Sequence, residues 1–269
     1  ELPTSTGVYY LHNAVGDILY IGKSNNIQKR VRTHLTGSDR KAQKIQKKLH
    51  KVNFETTGSE LIALLKEQHE IKKNQPRINK DGRYRLYPMG IRIDEQTTYH
   101  QLLLEQVRNG REYIIVLKNG RVAKHIMNQL METHKLCQKH SSLNETKGAC
   151  YAYKNNRCKG ACVEKEKPES YNQRLRQLKD KNNYPHDDFL MIDRGRKEGE
   201  YSFIYVESQS FRGYGFYELN HQIKSKEKIF NRIIAMEDNY DCRALIISHI
   251  KKNKYRKLIP LAITEINTL

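Results

Sequence analysis

The chain has 269 residues, with 49 Lys and Arg against 30 Asp and Glu, a formal net charge of +19 at pH 7, and 37% hydrophobic residues. That length allows two domains with buried cores, and the cationic excess makes a polyanion the expected partner. No run approaches the ~18–20 apolar residues of a membrane span, no signal peptide opens the chain, and five cysteines are too few for a disulfide-built miniprotein. The first residue is Glu1, so a piece of a longer protein is expected.

Gly7 to His12 and Asp17 to Gly22 are rich in β-branched and aromatic residues and flank Asn13-Ala14-Val15-Gly16, which reads as a β-hairpin. A turn centred between Ala14 and Val15 places Tyr9 directly opposite Tyr20 on one face. Ile27, Val31 and Leu35 then recur every four residues, the stripe of a helix capped by Ser24 or Asn25, with Arg30 beside the seam. From Lys23 to Lys51 ten basic residues accompany a single acidic one, Asp39. Lys29, Arg32, Lys41, Lys44, Lys47 and Lys48 are the candidate DNA contacts, because each cation that neutralises a phosphate releases a counterion. A strand over Val52 to Thr56 precedes a helix from about Ser59 to Asn74, stopped by Pro76. Its apolar face is Leu61, Leu64, Leu65 and Ile71, and Glu67 lies at the flank of that face, where a carboxylate can be held still.

Two phenols, a lysine, an arginine and one carboxylate suit phosphodiester hydrolysis, which needs an activated water, charge neutralisation on the phosphoryl oxygens and help for the leaving alkoxide. Tyrosine pairs in hairpins are more often packing, so these residues alone leave both readings open.

The pattern strongly resembles the GIY-YIG nucleases. Gly7-Val8-Tyr9 is similar to the first signature triplet, Tyr20-Ile21-Gly22 is the second, and Lys23-Ser24-Asn25-Asn26-Ile27 with Arg30-Val31 resembles the corresponding stretch of bacterial UvrC and its shorter homologue Cho. The resemblance implies a repair endonuclease using Mg²⁺ or Mn²⁺. Tyr9 and Tyr20 would be the paired catalytic tyrosines, Lys23 the lysine beside them and Arg30 the phosphate-facing arginine. Glu67 would be the metal ligand and Asn79 a further active-site residue. His34 stands where UvrC often has tyrosine, and reads equally as a proton carrier or a partly buried histidine without a role. Residues 84–162 follow the order expected of UvrC, with strands near 90–93 and 99–107 and a helix through Leu130. Tyr113 to Leu117 departs from the aromatic motif usual there.

Cys137, Cys150, Cys158 and Cys162 fall within 26 residues. Disulfides are not expected in a nuclease of the reducing cytosol, which leaves free thiols, Zn²⁺ or an iron–sulfur cluster; the spacing itself does not choose. Cys150-Tyr151-Ala152-Tyr153 and Arg157-Cys158-Lys159-Gly160-Ala161-Cys162 resemble the UvrC segment that can carry a [4Fe–4S] cluster, so a cluster is expected over zinc. Cys242 reads as an ordinary buried thiol.

A helix over Tyr171 to Leu178 and linker lead to strands at Phe189–Ile192, Tyr201–Val206 and Tyr214–Tyr217, an antiparallel meander covered by a helix at about Ile229–Met236 or Ala244–Lys251. Asp187, Asp188 and Asp193 read as strand ends and turns. This third resembles the tail of exonuclease–nuclease fusions labelled DNA polymerase III epsilon subunits. An upstream exonuclease domain absent from this chain, and repair or replication proteins, are therefore the expected company beside DNA, with a cytoplasmic location and no membrane. The expected fold is α+β, in three parts. A small mixed sheet with flanking helices forms the nuclease domain over 1–95, an extension with the four-cysteine segment follows over 96–165, and an α+β domain with the meander closes the chain over 166–269. The expected function is a metal-dependent DNA endonuclease incising damaged or irregular DNA. The alternatives are a non-catalytic DNA-binding scaffold of a polymerase III epsilon-like protein and a mobile-element homing nuclease, which the cysteine segment disfavours.

Overall fold

The computed structural model describes residues 1–79, 86–108, 110–143, 148–180, 183–218 and 231–261. The chain divides into two compact units, one joining Glu1–Tyr84 with Tyr184–Leu269, the other Arg85–Asn183.

In the first unit, β1 (Gly7–His12) and β2 (Ile18–Ser24) form the expected hairpin, and β3 (Lys51–Thr56) lies on the other side of β1, giving the order β2-β1-β3. The sheet is antiparallel throughout, not mixed as expected: β2 and β3 run parallel to each other, but β1 separates them. The hairpin register also differs from the expected one. Asn13 closes the loop onto Asp17, its Oδ1 accepting from the Val15 and Asp17 amides at 3.1 and 2.8 Å, and a bulge between Leu11 and His12 shifts the ladder further. Tyr9 therefore pairs with Gly22 and Leu11 with Tyr20, leaving the tyrosines diagonal on the same face.

Helices α1 (Ile27–Thr36) and α2 (Arg40–Gln46) cover that face, where Tyr9, Leu11, Tyr20, Ile27, Val31 and Ile45 form one core. The N-cap of α1 is Asn26, whose side chain accepts from the Lys29 amide at 2.8 Å, not Ser24 or Asn25; the Ser24 hydroxyl instead closes a turn onto Asn26. His34 rather than Leu35 completes the buried stripe, being 5% exposed against 48%, because a residue seven positions on lies closer to the Ile27 face than one eight positions on. Helix α3 (Glu60–Asn74) packs on the opposite face, with Ala63 and Ile71 against Val8 and Ile21.

The rest of this unit is a five-stranded antiparallel sheet, β10-β9-β8-β7-β11. The meander is β7 (Phe189–Arg194), β8 (Glu200–Glu207) and β9 (Ser210–Glu218). Edges are β10 (Ile234–Ala235) and β11 (Lys257–Pro260). Helix α7 spans Tyr240–Lys251 and packs on α3. Of the two helix positions expected, the later one holds with an earlier start. In the earlier one Ile234–Ala235 is strand, and 229–230 lie outside the described residues. Asp193 sits in β7 and Asp188 before it.

The second unit holds the sheet β5-β4-β6, formed by β4 (Met89–Asp94), β5 (Gln101–Gln106) and β6 (Ile115–Leu117). Helix α4 (Gly120–Thr133), the short α5 (Tyr151–Lys154) and α6 (Pro168–Asp180) complete it. Tyr171, Leu175 and Leu178 of α6 share a core with Ile91, Leu102, Met127 and three of the cysteines, so the boundary expected at 165 falls inside this unit.

Candidate active site

Edge strand β2 turns an unpaired row of backbone groups away from β1. Residues after α3 and from α3 itself satisfy it: the Leu19 carbonyl accepts from the Ile78 amide at 3.0 Å, and the Asn79 side chain accepts from the Ile21 amide at 2.8 Å while donating to its carbonyl at 2.7 Å. Glu67 Oε1 then accepts from the Lys23 amide at 2.8 Å. Asn79, 8% exposed, thus spends both ends of its amide on the main chain of β2 and acts as a clamp.

Across the sheet edge lie the rings. Tyr9 and Tyr20 have centroids 6.0 Å apart, and His34 lies 5.8 and 5.3 Å from them. Gly22 makes room for this, since a Cβ there would overlap the Tyr9 hydroxyl and crowd the Tyr20 ring. Burial, reinforced by the neighbouring Tyr20, pushes the Tyr9 phenol well above the usual range against the pull of the Arg30 guanidinium. Burial lowers His34 to about 4, with the cations of Arg30 and Lys41 adding to the effect. A protonated phenol and a neutral imidazole make Tyr9 the donor in the 2.8 Å contact with His34 Nε2. Lys41 Nζ stands 3.9 Å over the Tyr20 ring, a cation–π contact as well as a place in the basic run.

Burial raises the Glu67 carboxyl above the usual carboxylate range, opposed by the Lys23 amide and by the charges of Lys23, Lys41 and Arg30. The same field links Glu67 to Tyr9. Tyr9, Tyr20, Arg30, His34, Lys41 and Glu67 therefore share one neighbourhood. The Lys23 ammonium, whose charge also acts on Glu67, is held by Glu60 Oε1 at 2.8 Å. Among the described residues nothing hydrogen-bonds Glu67 Oε2, so a half-buried carboxylate has one oxygen free for a hard cation, which its donor chemistry fits.

The expected DNA contacts divide. Lys29 and Arg32 are exposed on α1, whereas Lys44, Lys47 and Lys48 line a cavity of about 570 Å³ together with Arg77. Arg77 and Glu60 were not singled out by sequence: one isolated arginine and one acidic residue in a helix's first turn carry no local signal.

In the second unit the four thiols converge on Cys150, whose Sγ lies 3.7 Å from Cys137, 3.8 Å from Cys158 and 3.6 Å from Cys162. The sulfurs of Cys137, Cys150 and Cys162 all lie within 4.8 Å of one another. Three sulfurs this close could share one ion, which would set them about 3.8 Å apart around a tetrahedral zinc at ~2.3 Å; Cys158 reaches the group through Cys150. Burial pushes Cys137 and Cys158 up, while at Cys150 burial is outweighed by the Tyr153 amide and the neighbouring thiols, which hold its pKa down. Cys242 is 2% exposed in α7.

Two stretches of the chain match known protein families. Residues 5–80 match the UvrC-like GIY-YIG domain, and residues 89–181 the middle domain of the UvrC/Cho excinucleases. The protein named Excinuclease cho of Escherichia coli K12 is 33% identical over 182 residues, 66% of this chain and 61% of that protein. UvrABC system protein C of Agrobacterium fabrum is 31% identical over 187 residues, 67% of this chain and 27% of that protein. The chain thus spans about three fifths of the Cho relative and under a third of the UvrC relative. A crystal structure of the GIY-YIG N-terminal endonuclease domain of UvrC from Thermotoga maritima, bound to its catalytic magnesium, is 29% identical, covers 29% of this chain and 86% of that one, and has a TM-score of 0.28.

The lowered His34 pKa sets a pH dependence. The unfolded imidazole binds a proton near pH 6.5 and the folded one near pH 4, so the unfolded state holds more protons between them. Stability from this group is complete above pH 6.5 and is lost as pH falls through about 4. In an NMR titration the His34 ring resonances should have a midpoint near pH 4, and a midpoint near 6.5 would remove His34 from the ring cluster.

Proposed function

We propose that this chain, which carries a UvrC-like GIY-YIG endonuclease domain followed by a UvrC/Cho middle domain, hydrolyses phosphodiester bonds of damaged or irregular DNA in a divalent-cation-dependent way. The observation that carries the reading is the neighbourhood of Glu67, Arg30 and the Tyr9–Tyr20–His34 rings. Arg30 grips the scissile phosphate and neutralises charge on its oxygens. The free Oε2 of Glu67 would hold the divalent cation, Mg²⁺ or Mn²⁺. Such an ion would supply Lewis-acid polarisation of the phosphate and charge compensation there. Tyr9, oriented by the hydrogen bond it donates to His34 Nε2, is the group placed to exchange a proton with the attacking water, and the Arg30 guanidinium beside it opposes the burial that keeps the phenol protonated. Tyr20 and Lys41 wall the site, and Asn79 and the Glu67–Lys23 contact hold β2 in register beside it.

The cysteines of the second unit form a structural four-thiolate metal site: the sulfur spacing favours one ion, the resemblance a [4Fe–4S] cluster. An upstream exonuclease of the polymerase III epsilon type, supported by the likeness of the C-terminal third, extends the proposal to a longer cytoplasmic chain that both trims and nicks DNA beside repair or replication proteins.

Wild type should nick a supercoiled plasmid and a lesion-bearing duplex with Mg²⁺ or Mn²⁺, whereas Glu67→Ala should lose cleavage by at least about a hundredfold with DNA affinity kept. Wild-type and Glu67→Ala proteins that bind alike and leave both substrates intact would leave only the scaffold reading. Changing Lys41, Lys44, Lys47 and Lys48 together to Ala should weaken DNA binding and flatten the log–log salt dependence by up to ~0.9 for each phosphate that is no longer neutralised; an unchanged slope would move the DNA path elsewhere. Anaerobically purified protein should contain metal at the thiols. One zinc per chain supports the single ion, iron with absorbance near 400 nm supports the cluster, and neither would discard the site.

A further inference from the structure

Glu60 opens α3, and lysines from two distant parts of the chain hold its carboxylate. Oε1 accepts from Lys23 Nζ at 2.8 Å, and Oε2 accepts from Lys254 Nζ, beyond the end of α7, at 3.4 Å. Two turns further along the same helix face, Glu67 accepts from the Lys23 amide. One face of α3 thus grips both the main chain and the ammonium of a single residue, which follows directly on Gly22 and the ring cluster.

The end of α3 that carries Glu60 is fixed by the C-terminal sheet. Gly58, at φ 67°, lies so close to the Gly195 carbonyl that a Cβ would overlap it. Ser59, 2% exposed, occupies the N-cap position of α3 but does not cap it; its hydroxyl donates instead to Asp193 Oδ2 at 2.9 Å. Further along the helix, Lys72 Nζ donates to Asp241 Oδ2 at 2.8 Å, with that carboxylate 2% exposed, and Cys242 approaches Gln68. Both carboxylates that meet Lys23 therefore ride on a helix that, besides packing on β1 and β2, is held at several points by residues 184–261, beyond both family matches.

We propose that Glu60 is a positioning residue for Lys23, and that the C-terminal sheet, through Asp193, Gly195 and Lys254, holds Glu60 in place and so is a working part of the nuclease. The inference rests on the nuclease reading above. Lysine is a flexible four-carbon stem with a compact charge, and an ammonium already held beside the site needs no ordering when the phosphate arrives.

The full chain carrying Glu60→Gln, Lys23→Ala, Lys254→Ala or the Glu60→Gln/Lys23→Ala pair tests this. Glu60→Gln should lower kcat for nicking about tenfold while KM, DNA affinity and melting temperature stay near wild type, and the double variant should be no slower than Lys23→Ala alone. Lys254→Ala should lower kcat about two- to threefold. Independently of cutting, limited acylation read by mass spectrometry should modify Lys23 more slowly than exposed Lys29, and Glu60→Gln should erase the difference. Full additivity of the two changes, or Lys23 labelling that ignores Glu60, overturns the inference. A wild type that never nicks overturns the nuclease reading and with it the catalytic part of this one, while the labelling still decides whether Glu60 holds Lys23.

Discussion

The outer edge of β2 is the constraint on which the first unit depends. An edge strand presents backbone donors and acceptors that must find partners or face water. Here alternate residues of β2 are met in turn by the Ile78 amide, the Asn79 side chain and the Glu67 carboxylate. Closing that edge brings the helix that follows β3, and the turn after it, against the strand that carries Tyr20 and Lys23. A helical carboxylate 44 residues from Lys23 is thereby delivered to the margin of the ring cluster.

Electrostatics follow from that placement. Burial pushes both Tyr9 and Glu67 toward their protonated forms; Arg30 opposes it at Tyr9, and Lys23, Lys41 and Arg30 oppose it at Glu67. Burial prevails at both groups, and a dication or an added cationic charge beside them would oppose it. His34, kept neutral by burial and by two cations, accepts the Tyr9 hydroxyl's hydrogen bond and so fixes the direction of the phenol. The chemistry attributed to the centre thus needs no group with an unusual starting charge.

What was legible in the sequence was local. The hairpin, the two helices flanking it, the meander and the later C-terminal helix all announce themselves through periodicity and turn residues, and the signature triplets marked the tyrosines. Register was not legible, because it depended on how Asn13 closes its loop and on a bulge that no pattern marks. The buried role of His34 was only half visible, since Leu35 fits a four-residue spacing equally well. Asn79 could be named as a site residue, but its clamp on Ile21 joins positions 58 apart in sequence. Glu60, with partners 37 and 194 positions away, lay wholly beyond a reading of neighbours.

The most direct test of the centre is where a paramagnetic ion settles. With Mn²⁺ added to the isotopically labelled full chain without DNA, resonances of His34, of Tyr9 and of the backbone at Lys23 should broaden first, and Glu67→Gln should abolish that broadening. Broadening confined to residues remote from the rings, or unchanged by Glu67→Gln, would contradict the account.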